Sequence, residues 1–366
     1  MSKRIQYIKE KLIKTNADAL MVQTRANVFY LSGFDTNPHE RLVAVFVFKN
    51  EDPLLICPNM EVNQVKDIFN SGAIIGYSDT ESPWEKLQDY LQTKGIKHDQ
   101  LAIESTLSWD RMKAWQKINK DVSFLEADPY LNELRVIKDE TEITILKEAA
   151  ELADRGIKAG IKALHEGVTE MEVLATIEYS LKKIGIREMS FSTMVLFGEK
   201  AGDPHGNPGD RELQKGDAVL FDLGVVWKGY CSDITRTVFF DHVKDDDKKI
   251  YDTVLKAQNK ALTICKPGEP ISSLDKTARN EIANAGFGSY FPHRIGHGLG
   301  IDVHEFPSLN DKNASQLMKG MTFTIEPGVY IPNQAGVRIE DDVLITSDGY
   351  ETLTKFPKEL TIVPYK

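Results

Sequence analysis

Four acidic residues lie in two similar segments of the chain, and their surroundings suggest metal chemistry. Asp222 and Glu326 each follow a largely apolar run, VLF and FTI, while Asp233 and Glu340 lie on the strands predicted to come next. An ionised carboxylate in an apolar strand costs several kcal/mol unless it is paired or bound to a metal. Four such acids on neighbouring strands would repel one another, so either some are protonated or a cation lies among them.

A histidine-rich segment supplies a second kind of metal ligand. His293, His297 and His304 are three of the chain's eight histidines, and they fall within twelve residues. Glycines on both sides of His297 allow the backbone to approach a ligand closely. Carboxylates with one imidazole suit Mn, Co or Fe, with Zn as an alternative, and such a set can hold two ions. Two ions about 3.5–4 Å apart share a bridging water and make it a nucleophile near neutral pH.

The alternative interpretation is four unrelated acids on exposed strand positions, and an internal repeat argues against it. Gly167 and Gly185 are 18 residues apart, and so are Gly268 and Gly286. Each pair encloses a predicted helix and is followed by a predicted hairpin with one acid on each strand. Two copies are too few for a solenoid. The repeat therefore predicts a pseudo-twofold α+β domain in which the two hairpins meet at the centre.

The repeat also predicts where its helices begin. Thr169 and Glu172 have the spacing of a capping box, and Ser272 with Asp275 is predicted to open the equivalent helix of the second copy. By contrast, the charged run at 241–247 is interpreted as a solvated loop.

Residues 1–130 are predicted to form an α/β domain without catalytic residues. Short runs rich in Val, Ile, Leu and Phe, bounded by Gly, Pro, Asn or Asp, predict its strands. Strands are expected at 17–22, 27–34, 41–48, 53–57, 73–77 and 101–104, and helices at 5–14, 60–69, 83–92 and 109–119. The pattern changes beyond Pro129, so a second domain is expected over residues 131–366.

The composition argues against a nucleic-acid-binding protein and against a membrane-spanning one. The chain has 366 residues, with 45 Lys and Arg against 55 Asp and Glu, and a net charge of −10. That balance is unfavourable for binding nucleic acid or an anionic membrane. No apolar run approaches the roughly 18 residues of a membrane span. Three cysteines without CxxC spacing indicate reduced thiols, and the first residues lack the apolar run of a signal peptide, so a cytoplasmic location is expected.

Taken together, these motifs resemble a known family. Residues 135–366 resemble the pita-bread catalytic domain of the M24 metallopeptidases, because five potential ligands occur in the order D-x10-D, H, E and E. The α/β domain before them resembles the N-terminal domain of prolidases and creatinase. The resemblance covers essentially the whole chain and implies a two-domain enzyme whose catalytic domain has a pseudo-twofold internal repeat.

The resemblance implies a metal role for each of five residues. Asp222 is expected to bind the first ion, His297 and Glu326 the second, and Asp233 and Glu340 are expected to bridge both. Two divalent ions per subunit are expected, with Mn or Co preferred and Zn or Fe as alternatives. Glu326 is also expected to accept a proton from the bridging hydroxide, which would make it a catalytic residue.

The resemblance also implies roles for four residues on the substrate side. His304, seven residues after His297, is expected to contact the scissile carbonyl and to stabilise the oxyanion of the tetrahedral intermediate. His205 matches the substrate-side histidine of the family and is expected to be catalytic. His293 and Arg338 match positions that line the substrate site in the proline-specific members.

The implied activity is hydrolysis of Xaa-Pro bonds by a metal-bridging hydroxide, foremost as an Xaa-Pro dipeptidase (prolidase) acting on proline-containing dipeptides or short peptides. An Xaa-Pro aminopeptidase acting on longer peptides is the main alternative. Methionine aminopeptidase normally lacks such an N-terminal domain, and the metal-free creatinase does not keep the five ligands. A non-catalytic pita-bread binding protein is a further alternative, one that typically loses metal ligands. The resemblance also implies a homodimer.

Overall fold

Residues 1–135 and 136–366 form two structural units in a computed structural model that describes residues 3–365. The division expected after residue 130 falls inside a helix, Asp128–Val136, which begins in the first unit. Leu131 in that helix is buried. The first unit ends at Arg135, one residue before the end of this helix.

The first unit alternates strands and helices around one sheet. Its elements are α1 (Lys3–Thr15), β1 (Ala19–Val22), α2 (Arg25–Ser32), β2 (Ala44–Phe48), β3 (Leu54–Pro58), α3 (Val62–Ile68), β4 (Ala73–Tyr77), α4 (Pro83–Lys94), β5 (Gln100–Ile103), α5 (Trp109–Ile118), β6 (Ser123–Glu126) and α6 (Asp128–Val136). The strand order is β4-β3-β2-β1-β5-β6, antiparallel at β1–β2 and β2–β3 and parallel elsewhere. Strands β1, β2 and β3 are buried along their length, which explains their continuous apolar sequences.

The strand predicted at 27–34 is wrong, because most of that segment belongs to the helix α2. A short continuous apolar run does not distinguish a buried strand from a buried helix. The helix begins after Thr24, whose side chain accepts a hydrogen bond from the Asn27 N–H, and it ends where Gly33 adopts a φ of 79°. The buried Glu104 carboxylate also accepts the Thr24 N–H at 3.0 Å. These contacts place the start of a helix at Thr24, three residues before the predicted strand.

The second unit contains two copies of a helix–helix–hairpin arrangement. The first copy comprises α7 (Glu140–Ala163), α8 (Glu170–Lys183), β7 (Glu188–Met189), β8 (Met194–Phe197), β9 (Ala218–Leu223), β10 (Val225–Trp227), β11 (Tyr230–Cys231) and β12 (Ile234–Phe240). The second comprises α9 (Asp245–Thr263), α10 (Ile271–Asn284), β13 (Gly296–Gly298), β14 (Glu305–Leu309), β15 (Thr322–Ile325), β16 (Gly328–Ile331), β17 (Ala335–Arg338) and β18 (Asp341–Ile345). Strands β19 (Tyr350–Thr352) and β20 (Ile362–Val363) follow, and 3-10 helices occupy Gly198–Gly202 and Gly288–Tyr290.

The two predicted hairpins lie side by side at the centre of this unit. Strand β9 pairs antiparallel with β12 in the sheet β20-β12-β9-β8, and β15 pairs antiparallel with β18 in the sheet β14-β13-β15-β18-β19. The Glu340 N–H donates to the Thr235 carbonyl at 3.1 Å, and the Thr237 hydroxyl donates to the Arg338 carbonyl at 3.1 Å. These hydrogen bonds join the two copies of the repeat.

The long helix α7 packs closely on the strand that carries the first acid. A Cβ atom placed on Gly160 would lie 2.7 Å from the Phe221 ring, and one on Gly156 would lie 2.9 Å from Leu223. Glycine at these two positions therefore lets the helix approach β9 on either side of Asp222, because any larger residue would push the two elements apart.

The predicted capping box at Thr169 and Glu172 is confirmed, since each side chain bonds to the other residue's backbone N–H. The prediction for the second copy is wrong in detail. Helix α10 begins directly after Pro270, so Ser272 lies within its first turn. Asp275 is fully buried and pairs instead with Arg279 at 2.8 Å.

The interpretation of 241–247 as a solvated loop is also wrong, because Asp245 begins helix α9 and Asp247 is buried. Acidic residues in the first turn are stabilised by the partial positive charge of a helix N-terminus. Among residues 3–365, no helix combines the length and the apolar character that crossing a bilayer requires.

Candidate metal centre

A cavity of about 400 Å³ opens where the two hairpins meet. Its wall includes every residue that the sequence predicted for the site, although these residues are far apart along the chain. They are Asp222, Asp233, His297, Glu326, Glu340, His205, His304, His293 and Arg338. The tertiary structure therefore brings the whole predicted set into one cavity.

The four acids are positioned by the ends of paired strands. Asp222 lies near the end of β9, and Asp233 immediately precedes β12, its antiparallel partner. Glu326 immediately follows β15, and Glu340 immediately precedes β18. Because the two hairpins are hydrogen-bonded to each other, the acidic ends of all four strands converge on the same cavity.

His297 lies on β13 and directs one ring nitrogen toward the acids. Its Nε2 is 3.4 Å from Glu326 Oε1 and 3.8 Å from Asp233 Oδ2. Its Nδ1 is 3.2 Å from the Gly298 carbonyl, so the ring proton belongs on Nδ1 and the Nε2 lone pair is directed at the carboxylates. Burial lowers the pKa of His297 to about 3. The ring is therefore neutral, as a metal ligand must be.

Three carboxylates at this centre, those of Asp233, Glu326 and Glu340, have raised pKa values, because they are buried and lie close to other acids. Burial is the larger cause at Asp233 and Glu340, whose pKa values lie well above the ordinary range. Burial also raises the pKa of Glu326 to about 7, while the positive charge of Arg338 opposes that shift. Ligand atoms of Asp233, His297 and Glu340 lie within 4.8 Å of one another.

Two carboxylate oxygens at the centre have no protein partner. The Oδ1 atoms of Asp222 and Asp233 are buried, and nothing within residues 3–365 hydrogen-bonds to them. A buried oxygen without a partner is unfavourable unless a proton or a cation satisfies it. Together with the neutral imidazole, this oxygen-rich donor set fits a divalent metal centre.

Arg338 places a positive charge inside this acidic cluster. Its Nη2 contacts Asp222 Oδ2, its Nε donates to the Thr235 hydroxyl at 3.0 Å, and its Nη1 donates to the Tyr330 hydroxyl at 2.7 Å. The Thr235 hydroxyl in turn donates to Glu340 Oε2 at 2.6 Å. The guanidinium thus orients Asp222 directly and Glu340 through Thr235, in addition to lining the cavity.

Both ring nitrogens of His293 are engaged by the protein. Its Nδ1 is 2.8 Å from the Arg294 carbonyl, and its Nε2 is 2.9 Å from the Tyr330 hydroxyl. Since a carbonyl only accepts, the ring proton is on Nδ1, and the tyrosine donates to Nε2. Burial lowers the pKa of His293 to about 4, so the ring is neutral. A direct hydrogen bond from His293 to a substrate would require one of these bonds to break.

His205 and His304 are exposed on the cavity wall. The His304 ring lies edge-on to the His297 ring, with centroids 4.1 Å apart and planes at 73°. Partial burial, and then the nearby charge of Arg294, lower the pKa of His304. Neither the His205 ring nor the His304 ring is hydrogen-bonded within the described part of the chain, so both can bond to a substrate.

The sequence interpretation missed three residues that shape the site: Thr235, Tyr330 and Arg294. Arg294 lines the cavity and donates from Nη1 to the Ser308 hydroxyl at 3.0 Å. A signal for Thr235 exists, because strand alternation places it on the same face as Asp233. No comparable signal exists for Tyr330, whose contacts depend on the pairing of β16 with β17.

Cys231 lies two residues before Asp233, but we expect no chemical role for it. Burial raises the pKa of its thiol to about 12, which excludes a thiolate near neutral pH. Its Sγ donates to the Ile301 carbonyl at 3.2 Å, and a serine hydroxyl can make the same bond. Cys231→Ser should therefore keep kcat within about twofold of wild type. A decrease of about tenfold or more with unchanged metal content would contradict this expectation.

Comparisons with known proteins show which family the chain is similar to. The profile of "Metallopeptidase family M24" matches residues 144–347, and that of the "Creatinase/Prolidase N-terminal domain" matches residues 4–137. "Putative dipeptidase YkvY" from Bacillus subtilis (strain 168) is 51% identical over 361 residues, covering 98% of this chain and 99% of that protein.

Two solved structures extend the similarity to the fold. Prolidase from Pyrococcus horikoshii OT3 is 36% identical with a TM-score of 0.90, covering 98% of this chain and 100% of that one. X-Pro aminopeptidase from Thermotoga maritima MSB8 is 31% identical with a TM-score of 0.88, covering 97% and 100%. The predicted fold, a creatinase/prolidase-like domain followed by a pita-bread domain, is confirmed. The chain belongs to metallopeptidase family M24, and membership of this family implies divalent metal ions.

Proposed function

We propose that this chain hydrolyses the Xaa-Pro bond of dipeptides and uses two divalent metal ions to do so. One observation carries the proposal: four carboxylates and a neutral imidazole, whose lone pair faces them, converge in one cavity. Carboxylates in such excess over nitrogen ligands favour Mn or Co, with Zn or Fe as alternatives.

Five residues would hold the ions, with Asp222 at the first, His297 and Glu326 at the second, and Asp233 and Glu340 shared. The unpartnered Oδ1 atoms of Asp222 and Asp233 support this assignment. Bound ions supply a nucleophilic water near neutral pH and polarise the scissile carbonyl.

The protein's own side chains supply proton transfer and charge stabilisation. Glu326 lies on the cavity wall beside the other carboxylates, where its carboxylate would accept the proton that the attacking water gives up. The exposed His304 ring can donate a hydrogen bond to the carbonyl oxygen as negative charge develops there. His205 lies on the same cavity wall and can orient the substrate.

The apolar residues that line the cavity make it compatible with a proline ring. An Xaa-Pro bond is a tertiary amide whose nitrogen carries no N–H. A peptidase that relies on that N–H loses a contact, so a dedicated site must recognise the ring by its apolar surface. Phe191, Met194, Pro204 and Val303 provide such a surface on the cavity wall.

An Xaa-Pro aminopeptidase acting on longer peptides is the second candidate, favoured by the similarity to the enzyme from Thermotoga maritima. The cavity of about 400 Å³ is toward the small end of the usual range for ligand sites, which runs from about 300 to 1,000 Å³. Its size is compatible with an Xaa-Pro dipeptide.

Hydrolysis of an Xaa-Pro dipeptide and of an Xaa-Pro-Yaa tripeptide tests the proposal. We expect cleavage of the dipeptide in Mn²⁺, loss of activity after chelation, and recovery when Mn²⁺ is restored. Cleavage of the tripeptide between Xaa and Pro would instead support the aminopeptidase. If the protein binds metal but cleaves neither peptide, the peptidase proposal is wrong and a non-catalytic binding protein becomes the better interpretation. The cytoplasmic location and the homodimer stay predictions, and light scattering in solution tests the dimer.

A further inference from the structure

We propose that a buried ion pair between Lys138 and Glu305 positions His304 for catalysis, an inference that rests on the proposed peptidase function. Lys138 Nζ is 3.2 Å from Glu305 Oε2, and the two side chains are only 2% and 6% exposed. Both residues belong to the second unit, and Glu305 directly follows His304 in the sequence. Neither is a candidate metal ligand, and neither lines the cavity.

His304 lies on a turn between β13 and β14, here called the 299–305 turn after its residues. No hydrogen bond to the residues that the structure describes holds the His304 ring. Its orientation therefore depends on the backbone of the turn and on the edge contact with the His297 ring, at 4.1 Å between centroids. The contacts that hold the turn in place therefore also determine the position of the His304 imidazole.

The Glu305 carboxylate contacts the backbone of the turn. Its Oε1 accepts the Asp302 N–H at 3.0 Å. A Cβ atom on Gly300 would lie 2.6 and 2.7 Å from the two carboxylate oxygens, so the glycine is what allows the carboxylate this close approach. The Gly300 and Ile301 carbonyls accept hydrogen bonds from the Cys231 N–H at 2.7 Å and Sγ at 3.2 Å. Hydrogen bonds therefore hold both the backbone of the turn and the Glu305 carboxylate in place.

Lys138 is fixed independently of the turn. Its N–H donates to the Gly320 carbonyl at 2.9 Å, and the adjacent Ile137 forms a β-bridge with Met321. These contacts lie immediately before β15, the strand that leads to Glu326. The ammonium group therefore links the turn that carries His304 to the strand that positions a candidate metal ligand.

The energetics favour a positioning role over a stabilising one. Taking two charges out of water costs about as much as their attraction returns, and apolar replacements of buried pairs are often neutral or stabilising. A displaced turn, however, would separate the Lys138 ammonium group from the buried Glu305 carboxylate, which is strongly unfavourable. We therefore expect the Lys138–Glu305 ion pair to favour one conformation of the 299–305 turn over other conformations that pack equally well.

Kinetics of Lys138→Met and Lys138→Arg in the Mn²⁺-loaded enzyme test this role. In Lys138→Met, kcat for an Xaa-Pro dipeptide should fall by about tenfold or more while KM stays within about twofold, because the lost contact matters most in the transition state. Bound metal should equal the wild-type amount. Lys138→Arg keeps the charge and should recover most of kcat. The matched control is Lys147→Met, which removes an exposed pair with Glu351 at 2.8 Å and should keep wild-type kcat.

A double variant, Lys138→Met with Glu305→Gln, separates positioning from stability. The single variant removes the ammonium group from beside the buried Glu305 carboxylate, whereas the double variant removes both charges, so Tm should recover toward wild type. Under the proposal, kcat stays low in the double variant. Recovery of kcat together with Tm would overturn it. Wild-type kcat in Lys138→Met, or loss of metal in parallel with kcat, would overturn it as well.

An NMR measurement on the metal-free protein tests the positioning role without measuring enzymatic activity. The ring ¹H–¹³C resonance of His304, identified by its disappearance in His304→Gln, should shift in Lys138→Met and stay unchanged in Lys147→Met. An unchanged resonance in Lys138→Met contradicts the positioning role. If wild-type protein cleaves no Xaa-Pro peptide, the proposed function fails, and this spectrum still decides whether the ion pair positions His304.

Discussion

Replacing Asp233 with Asn should abolish hydrolysis of Xaa-Pro dipeptides and lower the amount of bound metal. The amide keeps the shape of the side chain but loses the negative charge that a hard cation requires. Asp233 is buried, no described residue hydrogen-bonds to its Oδ1, and its Oδ2 lies 3.8 Å from His297 Nε2. We expect kcat/KM to fall by about a thousandfold or more, equivalent to about 4 kcal/mol of transition-state stabilisation. Elemental analysis of the purified variant measures the loss of metal.

Glu340→Gln should have the same two effects, because the Thr235 hydroxyl at 2.6 Å holds this carboxylate in the same cluster. Asp252→Asn is the matched control, since Asp252 is an exposed acid on α9 paired with Lys248 at 2.6 Å. It should keep wild-type kcat and metal content. Near-normal turnover in Asp233→Asn or Glu340→Gln would contradict the ligand assignment.

His304→Ala should slow the chemical step while leaving metal content unchanged. The exposed His304 ring lies on the cavity wall beside the ring of His297, where it can donate a hydrogen bond to an oxyanion. Loss of one such donor typically lowers kcat by about 10²–10³-fold. The measurement is kcat at saturating dipeptide, with metal counted on the same sample.

A surface histidine provides the control for this variant. His165 follows helix α7 and is exposed, so His165→Ala should leave both kcat and metal content at wild-type values. If His304→Ala loses metal in proportion to activity, His304 is a ligand and its assigned role as an oxyanion donor is wrong.

The sequence by itself determined the candidate ligands and the repeat that contains them. A carboxylate within an apolar strand must be compensated, so Asp222 and Glu326 were already unusual without a structure. Equal spacing of the glycines in the two copies identified the pseudo-twofold arrangement, and the hairpins pair as that arrangement requires. These signals are local, because each depends on residues close together in the chain.

Local signals also account for the wrong predictions. The apolar run at 27–34 has no helical period, and only the cap at Thr24 and the turn at Gly33 make it a helix. Ser272 fits a capping residue by type, yet Pro270 precedes the first turn of α10. In both cases the residue at the start of the helix, Thr24 or Pro270, lies before the residues on which the prediction rested.

The tertiary structure alone decided how the candidate ligands are held. Arg338 reaches Asp222 and Thr235, and Tyr330 joins Arg338 to His293, across residues distant in sequence. Such contacts depend on the register of paired strands and on which two sheets meet, and neither is encoded in a local pattern. The sequence therefore determined which groups do chemistry, and the packing of the two repeats decided which side chains orient them.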